Sequence, residues 1–285
     1  VGGDQFGISH IEGSTQNAGL AWQYAQLRSQ AESLFWTFGV NYQNAKSLIG
    51  AGASNAIENT TTNILLLQAG VLFNRQYQDA SYYTLGGNLW TNGKSNSGQP
   101  GDNDSKEKLR VELDGSYVKP FADVWEFIGQ GTVLYSPDPL VDGDKYSLGG
   151  PGNVRGFQSA DARGDRGLFG SVELQRDFFL GTAAPIAWGV FLDSGHVWTL
   201  EVPPLPGAKG ATVDASSEAL TSIGTEFQLL PTASGWSARL QFAWAIGKNR
   251  PTDDVSVDDR KGLKPTDVVN HDRGPHIWLT VGTTF

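Results

Sequence analysis

The sequence predicts an all-β protein, an antiparallel transmembrane β-barrel, and three observations carry that prediction. Apolar and polar residues alternate with period two along the whole chain, the mark of strands with one apolar face. The alternating segments are close to the roughly 9–11 residues that a tilted strand needs to cross a bilayer. The connections between them alternate between short and long. An up-and-down barrel gives that parity when one end faces the periplasm and the other the exterior.

Taken in order, the segments are about 4–12 (faint), 17–26, 32–43, 61–75, 81–91, 107–118, 122–135, 167–180, 186–198, 217–230, 235–248 and 275–285, twelve strands in all. In 32–43, Leu34, Trp36, Phe38, Val40 and Tyr42 oppose Ser33, Thr37, Gly39 and Asn41. In 107–118, Leu109, Val111, Leu113 and Tyr117 oppose Arg110, Glu112, Asp114 and Ser116. In 186–198, Ile186, Trp188, Val190 and Leu192 oppose Ala187, Gly189, Phe191, Asp193 and Gly195. In 235–248, Trp236, Leu240, Phe242, Trp244 and Ile246 oppose Arg239 and Gln241. The last segment sets Ile277, Leu279, Val281 and Phe285 against His276, Thr280 and Thr284. Short connections fall at 27–31, 76–80, 119–121, 181–185 and 231–234. Long ones fall at 44–60, 92–106, 136–166, 201–216 and 249–274.

The polar faces carry charge on strand after strand: Arg110, Glu112, Asp114, Glu126, Glu173, Asp177, Asp193, Glu226 and Arg239. Such faces suit a wet or salt-bridged lumen, which puts the apolar faces toward lipid. Trp36, Trp125, Trp188, Trp236 and Trp244 lie on the apolar side, as an interfacial girdle would. Apolar residues make up 39% of the chain and no run of them approaches a membrane helix. The net charge of −9 offers no basic field for nucleic acid. With no cysteine there are no disulfides, thiolate metal sites or cysteine nucleophiles. The chain opens on Val1 without a signal peptide, as a processed chain or a piece of a longer one does.

One stretch stands apart. "GGPGNVRGF" (149–157) surrounds Arg155 with four glycines. A phosphate cradle would need Lys-Ser/Thr after the glycines, or a helix opening on them, and this stretch has neither. The four histidines, His10, His196, His271 and His276, have no nucleophile elbow near them, so no catalytic residue is assigned. "DND" (102–104) and "DGD" (142–144) pair oxygens without the spacing of a calcium loop, so no metal site is assigned either. No cofactor is expected.

Three motifs in order, "SLGGPGNVRGF", "GDRGLFGSVELQRDF" and "GVFLDSGHVW", resemble the outer-membrane transporters of two-partner secretion. These are the haemolysin-activation and filamentous-haemagglutinin secretion barrels, within the superfamily that includes the outer-membrane assembly barrel. The resemblance covers about residues 122–198. It implies that 136–166 folds back into the lumen, with Gly149, Gly150, Val154, Arg155, Gly156 and Phe157 as its functional segment. It also implies that Arg155 pairs with an acidic residue of the wall, Asp193 in "FLDSG", with Glu173 in "GSVEL" as a second anchor. Alternation independently puts both carboxylates on the polar face.

The terminal "WLTVGTTF" resembles the aromatic C-terminus of outer-membrane barrels, which makes Phe285 an assembly signal and the assembly machinery a partner. Family members place two periplasmic polypeptide-transport-associated domains before a sixteen-stranded barrel. Residues 1–285 read as barrel alone, without those domains and with part of the strands. The implied role is export of a partner protein as an extended chain across the bacterial outer membrane, without nucleotide and without enzymatic chemistry. Outer-membrane lipid and lipopolysaccharide would surround the barrel. Two other roles fit the same features: a barrel that inserts other outer-membrane proteins, and a passive diffusion pore.

Overall fold

A computed structural model describes residues 11–49, 58–97, 109–140, 144–179, 185–201, 215–230, 235–246 and 275–283. The strands are β1 Ile11–Arg28, β2 Glu32–Ile49, β3 Glu58–Gln76, β4 Tyr82–Ser97, β5 Leu109–Phe121 and β6 Trp125–Tyr135. They continue with β7 Tyr146–Leu148, β8 Ala162–Gly164, β9 Arg166–Phe178, β10 Ile186–Thr199, β11 Ser216–Leu229, β12 Trp236–Ala245 and β13 His276–Thr283. Eleven of them form one antiparallel meander, β1-β2-β3-β4-β5-β6-β9-β10-β11-β12-β13, and β7 pairs with β8 as a separate hairpin.

Eleven of the twelve expected segments are the eleven strands of this sheet. The faint one at 4–12 lies almost wholly outside the described residues, as does Phe285. The sheet is not closed: among the described residues β1 and β13 are its edges and do not pair with each other. Several boundaries differ from the alternation, among them the start of β1, at Ile11 rather than 17. The β2–β3 ladder runs out to Ile49↔Glu58, and β3–β4 to Thr62↔Ser97, well into the stretches read as the long connections 44–60 and 92–106. "NAKS" and "NTTTN" are polar on both faces, as a strand surrounded by water can be, so alternation is silent there. The connection placed at 119–121 is instead 122–124. Ala122 and Asp123 take φ of 47° and 63° to close a tight hairpin, and Pro120 stays in the strand's last pairs. β7 and β8, three residues each inside the long connection 136–166, are too short to show alternation.

The two faces of the sheet separate as predicted. Leu20, Phe38, Leu67, Leu113, Val172, Leu192, Phe227 and Leu279 are among the apolar side chains left exposed on one face, Leu20 at 84% and Leu279 at 69%. In water this would be an enormous apolar patch; in a bilayer it is the lipid-facing band. The other face is polar and, from β9 to β12, buried, because the 136–165 segment packs against it. Leu148, Val154, Phe157 and Ala162 of that segment pack with Phe169, Val197 and Leu220 of the wall. Burying the three larger loop side chains stabilises the docked segment by roughly 5–9 kcal/mol as an upper bound.

Candidate functional site

The glycine segment is built so that Arg155 reaches the wall. Gly149 and Gly150 take φ of 99° and 105°, a region open to glycine and strained for other residues. Asn153 then ties the bend: its Oδ1 accepts from the backbone N–H of Gly149 (2.7 Å) and of Val154 (2.6 Å), while its Nδ2 donates to Ser147 O (3.0 Å). Gly156 serves a different need. A Cβ there would lie 2.6 Å from Ser222 Cβ and 2.8 Å from backbone atoms of Trp244 and Ala245. Only a bare backbone lets the loop lie this close to β11 and β12. Val154 and Phe157, on either side, are buried in the apolar cluster.

Arg155 itself is 5% exposed, and every N–H of its guanidinium has an acceptor. Nε donates to Asp193 Oδ2 (2.9 Å) and Nη2 to Asp193 Oδ1 (2.8 Å), a bidentate fork. Its backbone N–H also donates to Asp193 Oδ2 (3.1 Å). Nη1 donates to Glu173 Oε2 (3.1 Å) and to Glu226 Oε2 (3.0 Å), and Nη2 to Ser171 Oγ (3.2 Å). The ring of Phe191 lies under the guanidinium, 3.2 Å from its centroid to Cζ. Burial works against the charge of Arg155, yet the hydrogen bond and charge of Asp193, followed by those of Glu173, raise its pKa above the ordinary arginine value.

β9, β10 and β11 deliver these acceptors side by side. Register sets Asp193 between Ser171 and Ser222, and both hydroxyls donate to its carboxylate, at 2.7 and 3.2 Å. Register likewise sets Glu226 across β10 from the neighbourhood of Glu173, at Gly189. Gln241 Nε2 donates to Glu226 Oε2 (2.9 Å), and Arg239 Nε stands 3.7 Å from Glu226 Oε1. From β13, Trp278 Nε1 donates to Arg155 O (2.8 Å). The structure thus brings together Arg155, Asp193 and Glu173, and it adds Glu226, which sequence reasoning placed on the polar face but did not nominate. Glu226 equals Glu173 in proximity, so second place is shared. No local motif marks Ser171, Ser222, Gln241 or Trp278; the pairing of strands distant in sequence brings them in.

The loop is held at two further places. Arg110 of β5 donates through Nη1 to Asp144 O (3.1 Å) and Oδ1 (3.3 Å), with its Cζ 4.2 Å from the centroid of Trp90. Asp165, fully buried, accepts from the backbone N–H of Leu140 and of Leu200, both at 2.7 Å, and so locks the loop's two ends to the strand end of β10. Between this loop and the β5–β6 wall lies a polar cavity of about 490 Å³, lined by Glu112, Asp114, Gln130, Thr132 and Lys145 among others.

The site is a glycine-rich loop pinned by one arginine to the polar face of an antiparallel sheet. The family described as haemolysin secretion/activation protein ShlB/FhaC/HecB matches residues 3–217. The chain belongs to this family. It is 26% identical over 110 residues to an outer membrane transporter, CdiB, of Dickeya dadantii (strain 3937), a match covering 38% of this chain and 20% of that protein. Two solved structures share the fold. CdiB from Acinetobacter baumannii gives a TM-score of 0.60 at 16% identity, over 85% of this chain and 40% of that one. CdiB from Escherichia coli gives 0.64 at 17% identity, over 84% and 43%. The chain therefore spans a fifth of the curated relative and about two fifths of the solved structures. It is a protein of the bacterial outer membrane, with the β-barrel wall of a two-partner secretion transporter.

Proposed function

We propose that this chain forms the wall and inner loop of a transporter that exports a partner protein from periplasm to cell surface, the partner passing as an extended chain without nucleotide. The observation that carries the reading is the Arg155 network: one loop residue held by three carboxylates from three wall strands. A loop needed only for packing would be held well enough by its apolar cluster. A fully satisfied buried charge network adds a discrete, geometrically specific latch. The loop occupies the inner face of β9–β13, so a polypeptide passing that face must run beside a held loop or displace it. The cavity between the loop and β5–β6, with its mixed acidic, basic and amide lining, suits an extended backbone in transit.

Within this reading Arg155, Gly149, Gly150, Val154, Gly156 and Phe157 form the functional segment, and Asp193, Glu173 and Glu226 its anchor. Residues 136–166 are the lumen loop of a barrel domain, and Phe285 is an assembly signal. The barrel chain itself does no enzymatic chemistry. Lipid, lipopolysaccharide and the assembly machinery are its membrane partners.

The test replaces Arg155 with alanine in the full-length protein and follows secretion of the partner from cells. Heat-modifiable gel mobility should show a folded barrel, because closed pairing and lipid-facing side chains supply most barrel stability. Secreted partner should fall sharply, and single-channel conductance should grow larger or noisier. Normal secretion by the folded variant would overturn the latch. Unchanged secretion together with defective insertion of other barrel proteins would point instead to an assembly role. Sugar permeation indifferent to loop changes would point to a passive pore.

A further inference from the structure

On its outward face β9 carries, in order, Arg166, Leu168, Gly170, Val172, Leu174 and Arg176. Two cations thus bracket a wholly uncharged stretch. Ten residues of strand span roughly 33 Å, and at a tilt near 40° this projects to roughly 25 Å along the membrane normal, the height of an outer-membrane apolar band. Each arginine is set among aromatic side chains. Arg166 Cζ lies 4.7 Å from the ring centroid of Tyr135, and its cross-strand partner is Trp198, on which His196 stacks at 4.2 Å. Arg176 Cζ lies 4.9 Å from the ring of Phe178 and 5.5 Å from that of Trp125, and Trp188 is its cross-strand partner.

Neither guanidinium pairs with a carboxylate among the described residues. Arg166 is oriented by one bond, Nε to Ser136 O at 2.8 Å, and among the described residues neither Nη group has a hydrogen-bond partner. The adjacent Asp165 is turned away, committed to Leu140 and Leu200. Beside Arg166 an apolar cavity of about 690 Å³ opens between Val133, Leu168, Trp198, Leu200 and Ser216. By the rule that long connections face the exterior, this guanidinium belongs where the apolar band meets the outer leaflet's headgroups.

We propose that Arg166 binds a phosphate of lipopolysaccharide lipid A, with an acyl chain or sugar edge of the same molecule in the neighbouring cavity. Arg176 does the same for a glycerophospholipid phosphate in the inner leaflet. A guanidinium with no carboxylate partner among the described residues is matched to phosphate oxygens, and aromatic faces hold it in place where water thins. β9 also carries Ser171 and Glu173 on its other face, so the two lipid contacts fix the height of the strand that anchors the Arg155 latch. This assignment rests on the membrane location and not on what the barrel exports.

The experiment is native mass spectrometry of the full-length protein, extracted from outer membranes and delipidated. It is titrated with bisphosphorylated hexa-acyl lipid A and, separately, with the same lipid after removal of its phosphates. The wild-type protein should retain the phosphorylated form about tenfold more strongly. Arg166→Gln should erase that preference, Arg166→Lys should keep part of it, and Arg176→Gln should leave it intact. With phosphatidylglycerol against diacylglycerol the roles of the two arginines should exchange. Equal retention of phosphorylated and dephosphorylated lipid A by the wild type overturns the proposal without recourse to any variant. So does a phosphate preference that survives Arg166→Gln.

Discussion

Arg155 meets three carboxylates with one positive charge, so the members of the cluster are not interchangeable. Asp193 accepts three bonds from Arg155 and two more from serine hydroxyls, whereas Glu226 accepts one from Arg155 and is also served by Gln241 and Arg239. Removing Asp193 leaves a buried guanidinium short of its fork; removing Glu226 leaves that fork whole and lowers the excess of negative charge. Asp193→Ala should therefore cost roughly 3–5 kcal/mol of loop docking, with Glu226→Ala clearly milder. A double-mutant cycle with Arg155→Ala, read from denaturant unfolding of the full-length protein in detergent, should show strong coupling for Asp193 and less for Glu226. Equal couplings would mean that the fork has no special weight. At this scale the sequence was readable where parity sufficed, since Asp193 and Glu173 alternate onto the polar face of strands with clear apolar partners. Glu226 shares that parity, but its place beside Arg155 depends on β10–β11 register, which no local pattern encodes.

The elements divide in the same way. Strands inside the membrane announce themselves, because lipid on one side and polar lumen on the other force alternation. The ends of β2 and β3 lack alternation, so nothing in "NAKS" or "NTTTN" distinguishes strand from loop. The β7–β8 hairpin and the bend before Arg155 are shaped by backbone conformation and by Asn153, which makes the loop's internal glycines separable by experiment. Gly156 faces backbone atoms of β12, whereas Gly152 has nothing within 4 Å of where a Cβ would stand. Gly156→Val should keep the segment from seating and expose the Arg155 peptide bond to trypsin added to intact cells expressing the full-length protein. Gly152→Ala should leave that bond as protected as in the wild type. Cleavage of both variants, or of neither, would mean that close approach to β12 is not what seats the loop.

For the whole molecule the decisive feature is the open sheet. Among the described residues β1 and β13 each present an unpaired edge, and in hydrocarbon each unsatisfied N–H or C=O costs several kcal/mol. A wall with such edges is not stable in a bilayer, so in the membrane both must be paired, either with each other or with further strands. We propose the second arrangement, in keeping with the two fifths of each matched solved structure that this chain spans. These 285 residues contain no cysteine of their own to compete with an engineered pair. Cysteines placed at outward positions of the two edges, Leu20→Cys on β1 and Leu279→Cys on β13, should not form a disulfide under oxidation in the full-length protein. Meanwhile the edge amides of both strands should be protected from hydrogen exchange as well as those of β9 and β10. Protection with an efficient β1–β13 crosslink would mean that these eleven strands close on themselves. Free exchange along either edge would mean that the wall is finished by something other than backbone pairing, which the energetics of a bilayer forbid for a strand in contact with lipid. The alternation of faces follows from the sequence because each strand reports its own two environments, but strand count and closure belong to the ring as a whole.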